Sequence, residues 1–379
     1  ASWEEVYKII KSKIENSNKD KICGFVGDLV NMEASFIFKE FFDRTIGNNN
    51  YESRSSQSFI DSSIRENYLF NSTINGIEES DLILLVGTNP RFEATIVNAR
   101  IRKAYLNNNT EIISLNDVGD LTYTYKSLDG STQTLKNIID NKNDVSKKIL
   151  DAKKPMVILG DSFLNTKFAN ILFYSLKDFL FKNNKYTDQW NPLNILATNA
   201  ATVGNLDLDI INEKDDLIND LNQNKFEVVY LLGQDNLNFN KKNEFVIYQG
   251  SHGDKGAEIA DIILPGAAYT EQSGHYTNLE GKIQKAYKAS YPPGEAKEDW
   301  QIINELSEMM NNRKLFNDKD EVESSMFNYL NLKKEKQKSS QISKQKQDSF
   351  ENEVLKITTK EYYFSNVIAR SSKTMLDCY

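Results

Sequence analysis

The feature that most constrains this chain is a recurring short apolar run. Ile22–Val26, Leu82–Val86, Val228–Leu232 and the stretches 111–115, 156–159, 194–197, 245–248 and 259–264 are mostly unbroken and rich in Val, Ile and Leu. A strand with one wet face alternates apolar with polar residues. Unbroken runs fit strands covered on both faces, hence parallel sheets with helical crossovers. Longer stretches with helical spacing of apolar residues lie between them, at 1–18, 32–42, 93–106 and 168–181. Several runs stop at Gly27, Gly87 and Gly160, where a tight turn can begin the next connection. The pattern predicts an α/β protein of two doubly wound, mostly parallel sheet domains with an irregular C-terminal tail.

A length of 379 residues suits two such domains. The polar gap at 117–154 places a boundary near residue 150, giving a first α/β domain at 1–150 and a second at 151–310. Regular alternation stops around Tyr291-Pro292-Pro293-Gly294, and a helix is expected at 299–310. The segment 311–379 is expected to hold a polar linker and a docking tail. Its Lys/Gln/Ser run at 333–348 has almost no apolar residues and reads as solvated or disordered. Apolar residues return from 354 onward.

Charge and cysteine content narrow the function. The formal charge is −8 with both signs interspersed, which argues against nucleic acid, whose phosphates need a basic face. The two cysteines, Cys23 and Cys378, are too few and too distant for a disulfide scaffold. Without a CxxC, the chain alone can build neither a structural zinc site nor a cysteine-ligated iron–sulphur cluster. Cys23, inside a predicted strand, is expected to be a small buried thiol. No apolar run approaches the ~20 residues of a membrane span. No signal or transit peptide is visible, and a start at Ala1 rather than Met reads as a processed or trimmed chain.

Three stretches offer chemistry. Gly87-Thr88-Asn89-Pro90-Arg91 follows a strand and precedes a helix, the place where open α/β sheets bind ligands. Arg91 could clamp a phosphate there; alternatively Asn89 and Pro90 are helix-start signals. Gly250-Ser251-His252-Gly253-Asp254-Lys255-Gly256 matches no phosphate-loop spacing. Ser251, His252 and Asp254 are too close in sequence for a triad, which needs its base between nucleophile and orienter. The third stretch, 266–284, holds Glu271, His275, Asn278 and Glu280. Two carboxylates and an imidazole could hold a metal, but their spacing fits no ligand motif, and a hydrogen-bonded polar loop is the expected reading. From the residues alone no convincing catalytic set emerges.

The order of motifs is more specific than any one of them. Arg65-Glu66-Asn67-Tyr68 through Ile74, Gly76-Ile77-Glu78-Glu79-Ser80-Asp81 and Val86-Gly87-Thr88-Asn89-Pro90-Arg91-Phe92-Glu93 come first. Tyr248-Gln249-Gly250-Ser251-His252-Gly253-Asp254, Asp261-Ile262-Ile263-Leu264-Pro265-Gly266, Asn278-Leu279-Glu280-Gly281 and Glu298-Asp299-Trp300 follow, and Ile368-Ala369-Arg370-Ser371-Ser372-Lys373-Thr374-Met375 lies near the end. This series resembles the C-terminal, molybdopterin-oxidoreductase-like half of the large iron–sulphur (75-kDa) subunits of mitochondrial respiratory complex I. The resemblance implies a core structural subunit of the matrix arm at the mitochondrial inner membrane. Such a chain supports NADH-to-ubiquinone electron transfer without catalysis of its own. It implies a vestigial pterin cleft at Asn89, Arg91, His252, Thr270, Glu271, Asn278 and Glu280, with no cofactor or metal in this chain. The family's cluster-binding half is missing from this sequence. Either the subunit is split into two polypeptides or this chain is a fragment; a split subunit is the expectation, with the iron–sulphur clusters in a separate ferredoxin-like polypeptide. Two competing readings are an active molybdopterin-dependent oxidoreductase module, and a nucleotide-binding protein using the loops at Gly87 and Gly250.

Overall fold

The structure, a computed structural model, describes residues 1–212, 216–337, 350–358 and 362–378. Two five-stranded sheets form its frame. The first is built from β1 (Ile22–Val26), β2 (Tyr51–Glu52), β8 (Val228–Leu232), β9 (Phe245–Gly250) and β10 (Ile262–Pro265) in the order β10-β9-β8-β1-β2. The second is built from β3 (Leu82–Val86), β4 (Glu111–Ser114), β5 (Lys126–Ser127), β6 (Pro155–Leu159) and β7 (Leu193–Ile195) in the order β5-β4-β3-β6-β7. Every pairing within both sheets is parallel. An antiparallel hairpin, β11 (Gly274–Thr277) and β12 (Ile283–Ala286), completes the set.

Both faces of each sheet are covered, as the unbroken runs require. In β1, Ile22 and Val26 pack with helices α1 (Trp3–Glu15), α2 (Met32–Phe41), α5 (Asp299–Asn311) and α6 (Lys319–Gln337), while Cys23 and Phe25 join the core on the opposite face. The same alternation splits β3. Leu82, Leu84 and Val86 face α4 (Ala169–Lys182), and Ile83 and Leu85 face α3 (Thr95–Asn108). Glycine sets two close approaches. A Cβ on Gly24 would lie 2.5 Å from the Phe38 ring, so α2 sits tightly on β1. Gly87 turns the chain at φ +63° with the Phe163 backbone nitrogen 2.3 Å from where a Cβ would be.

The sheets do not divide the chain near residue 150. β6 pairs with β3 in register Leu82↔Pro155, inside the second sheet, whereas β1 pairs with β8 as Ile22↔Val228. Residues 1–150 thus feed both sheets, and the whole second sheet is an insertion between β2 and β8. Short parallel strands advertise their burial but not their neighbours, so the sequence pattern suggested two consecutive units. The polar gap at 117–154 also contains β5 and the helices Thr132–Ile139 and Asp144–Asp151, which bury Leu135, Ile138, Val145 and Ile149.

The expected linker at 333–348 begins as helix instead. α6 continues to Gln337, and the Lys333 ammonium donates to the Leu206 carbonyl and to Asp209 Oδ1, both at 2.6 Å. Residues 338–348 lie outside the described residues. Downstream, Leu355 is buried in the second sheet's core and its amide donates to the Gly130 carbonyl. The helices Val367–Ser371 and Lys373–Cys378 end the described chain. Among the described residues, no helix is long and apolar enough to cross a membrane.

Candidate functional site

The carboxyl ends of β1, β3, β6 and β7 open onto one cleft of about 690 Å³ between the sheets. Asp28 and Leu29 follow β1, the segment Phe92–Val97 follows β3, Asp161 follows β6 and Ala197–Ala200 follow β7. Thr358, Ser365, Asn366, Ala369 and Met375 of the C-terminal segment line it as well. The segment is fastened there by Arg370, whose Nε donates to Asp254 Oδ2 at 2.5 Å in the loop after β9. Val367 and Ile368 lie over a smaller cavity beside Gly233, Gly250 and Asp299.

The charged side chains among the described lining residues are all acidic. Asp28, Glu93 and Asp161 line the cleft, and none of the described lining residues is basic. Asp28 accepts from Asn199 Nδ2 at 2.9 Å and Asn236 Nδ2 at 2.6 Å. Burial pushes the Glu93 carboxyl above its ordinary range, against donation from the Thr88 hydroxyl at 2.6 Å and the Asn89 amide at 3.0 Å.

The residues singled out from sequence mostly serve turns. Asn89 caps the short helix Pro90–Glu93: its Oδ1 accepts from the Arg91 amide at 3.2 Å, and its Nδ2 donates to the Val118 carbonyl at 2.9 Å. Arg91 is not among the cleft's lining residues; it donates to the Asp120 carbonyl at 2.7 Å and carboxylate at 2.6 Å. His252 Nδ1 lies 2.9 Å from the Ser251 hydroxyl, while Asp254 holds Arg370, so these three residues do not assemble as a triad. The exposed Thr270 accepts two main-chain amides, from Ala289 and Ser290. Glu271 Oε2 caps its own turn at the Ala268 amide, 2.9 Å away. Asn278 Oδ1 closes the hairpin turn by accepting from the Glu280 and Lys282 amides. Glu280 Oε1 accepts from the Ile74 amide at 2.6 Å, which ties the hairpin to the second sheet's side of the molecule.

His275 departs from expectation. Its partners are neither Glu271 nor Glu280. Its Nδ1 lies 2.5 Å from Glu33 Oε1, its amide donates to Glu33 Oε2 at 2.8 Å, and its Nε2 faces Glu323 Oε1 at 4.0 Å. Glu33 belongs to α2 and Glu323 to α6, so three elements distant in sequence converge. Sequence reading also missed two buried acids. Burial pushes Asp299 up to about 6, although Gln249 and Gln272 donate to it at 2.8 and 2.6 Å. Burial likewise pushes Asp235 up to about 6, beside the Tyr248 hydroxyl at 2.8 Å. No local pattern marks either residue as buried.

Residues 1–309 match the molybdopterin oxidoreductase family. The chain belongs to that family. This molybdopterin oxidoreductase family member also carries, at 321–378, a match to the C-terminal region of the NADH-ubiquinone oxidoreductase G subunit. It is 36% identical over 403 residues to the NADH-ubiquinone oxidoreductase 75 kDa subunit of Reclinomonas americana, covering 100% of this chain and 58% of that protein. It is 37% identical over 400 residues to the mitochondrial NADH-ubiquinone oxidoreductase 78 kDa subunit of Candida albicans, covering 100% and 54%. To the NADH-quinone oxidoreductase G subunit of Rickettsia bellii it is 36% identical over 384 residues, covering 100% and 55%. The chain thus spans little more than half the length of these curated relatives. Its fold is shared with a chain of the formyltransferase/hydrolase complex of Methylorubrum extorquens crystallised with methylofuran, at TM-score 0.57 and 12% identity, over 82% of this chain and 97% of that one.

Proposed function

We propose that this family member is a non-catalytic core component of the matrix arm of mitochondrial NADH:ubiquinone oxidoreductase, complex I. It scaffolds electron transfer carried by its partners. The charge of the inter-sheet cleft carries this reading. A pterin cofactor brings phosphate, and phosphate binding calls for basic side chains or converging amides. Among the described residues the cleft presents the acids Asp28, Glu93 and Asp161 and no basic side chain, and Arg91 is engaged by Asp120. These side chains offer a phosphate no counter-charge, which favours a cleft without the cofactor. The C-terminal helices held by Arg370 take up part of the same space. Neither cysteine is available there as a metal ligand, since Cys23 is buried in β1 and Cys378 is not a lining residue.

The relatives named as 75 and 78 kDa subunits support the assignment to complex I, and their mitochondrial members support that compartment. On this reading the iron–sulphur clusters lie outside the 379 residues given, in a cysteine-rich iron–sulphur region that packs against them. A native gel of detergent-solubilised mitochondria, with mass spectrometry of the NADH-oxidising band, tests this directly. Comigration with a cysteine-rich iron–sulphur polypeptide, and no stoichiometric molybdenum in the band, is the expected result. A free monomer, or molybdenum at one equivalent, overturns it.

A further inference from the structure

The Glu33–His275–Glu323 cluster has chemistry that the scaffold role does not use. His275 is buried, with 9% of its side chain exposed, and Glu33 more so at 1%. A carboxylate only accepts hydrogen bonds, so Glu33 draws the Nδ1–H of the ring as well as the His275 main-chain amide. That leaves the Nε2 lone pair directed at a second carboxylate, Glu323, 4.0 Å away. Nε2 makes no hydrogen bond among the described residues. Phe327 closes one side of the ring with its edge, at 5.1 Å between centroids. With the ring in its neutral form, two acceptors face each other across this gap, and a cation placed between them would satisfy both.

We propose that this cluster is a binding site for a divalent cation of the zinc class. His275 Nε2 and Glu323 supply the ligands and water completes the shell. Imidazole nitrogen and carboxylate oxygen are borderline-soft and hard donors that zinc accepts together at about 2.0–2.2 Å each; a tetrahedral pair of such ligands stands about 3.4 Å apart, so the partly exposed Glu323 side chain closes the 4.0 Å gap by about 0.6 Å. Glu33 is the orienting partner: a carboxylate on the far ring nitrogen fixes the tautomer and strengthens the ligand. Glu323 is 29% exposed, which gives the cation a way in and leaves room for water. Lys285 is the built-in competitor, 3.0 and 3.3 Å from the two Glu323 oxygens. The cation would pin α6, from the region shared with the oxidoreductase G subunits, to α2 and β11 of the molybdopterin fold.

Calorimetric titration of the full 379-residue chain with zinc chloride, after dialysis against a chelator, tests the site. One equivalent of zinc is expected. Glu323→Gln, on a partly exposed helix face, should weaken binding tenfold or more while circular dichroism stays unchanged. His275→Ala should weaken binding as far, at a cost in stability because it strands the Glu33 carboxylate; His252→Ala should leave binding intact, and Lys285→Gln should tighten it severalfold. Cobalt in place of zinc should give a visible absorption band that Glu323→Gln shifts or removes. No zinc binding, or binding that Glu323→Gln and His275→Ala leave unchanged, overturns the proposal.

Discussion

The inter-sheet cleft and the seam around the β11–β12 hairpin handle charge in opposite ways. In the cleft, three carboxylates face a common space with no basic side chain among the described lining residues; Asp28 is held by two side-chain amides and Glu93 by a hydroxyl and an amide. At the seam, acids meet nitrogen donors from distant elements. Glu33 holds His275, Glu323 holds Lys285, and Arg65 grips Asp207 through two parallel bonds of 2.8 Å while donating to the Gly281 carbonyl. Paired and hydrogen-bonded charge can be buried at tolerable cost. The seam therefore reads as stitching between parts of the fold. The cleft gathers the described acids Asp28, Glu93 and Asp161 at one opening instead.

The sharpest way to break this comparison is Glu33→Ala. It strands the His275 ring and amide in a buried site, and a loss of about 3–5 kcal/mol is expected from urea unfolding. A loss below about 1 kcal/mol would mean that the seam is not stitched by this pair. Next comes Gly87→Ala, at the turn that feeds the cleft. Its positive φ and its contact with Phe163 should cost roughly 1–3 kcal/mol, read from the same unfolding curve.

Asp299 gives the comparison a pH axis. Its carboxyl lies at about 6 in the fold against 3.8 as the ordinary value. The folded state therefore holds the proton more tightly than the unfolded chain, so this group's contribution is fully present below about pH 4. It is lost as pH rises toward 6 and is flat above, with a slope of about 1.4 kcal/mol per pH unit in between. Asp299→Asn should flatten stability between pH 4 and 6. An unchanged slope would show that the Gln249 and Gln272 donors fully offset burial.

Smaller effects are expected at the rim. Arg370→Ala should cost about 1 kcal/mol or less in global stability, yet speed proteolysis within 362–378, because the fastening to Asp254 is lost. Unchanged proteolysis would mean that apolar contacts hold the segment. Arg91→Ala should be the mildest, within about 0.5 kcal/mol, with no change in assembly on a native gel. Lost assembly there would return Arg91 to the working residues.

Much of the frame was legible because double burial writes itself locally. Five consecutive apolar residues such as Leu82–Val86 need cover on both faces whatever their neighbours are. Asn89 and Pro90 announced a helix start, and a helix start is what they make. Local chemistry also foretold that the 266–284 stretch would be rich in hydrogen bonds. What the local signal lacked was pairing. That β1 lies beside β8, and β3 beside β6, follows from packing of whole helices on whole sheets, and only the assembled structure settled it. The same holds at the sites. His275 invited pairing with nearby Glu271 and Glu280, but the fold supplied Glu33 and Glu323, because α2 and α6 converge on the hairpin. The acidity of the cleft belongs to no single segment: it arises where the ends of β1, β3 and β6 bring Asp28, Glu93 and Asp161 to one opening. Sequence determined which segments are buried, since burial is a property of each run of side chains. Tertiary structure decided which charges meet, since that depends on distances the chain only fixes once it is folded.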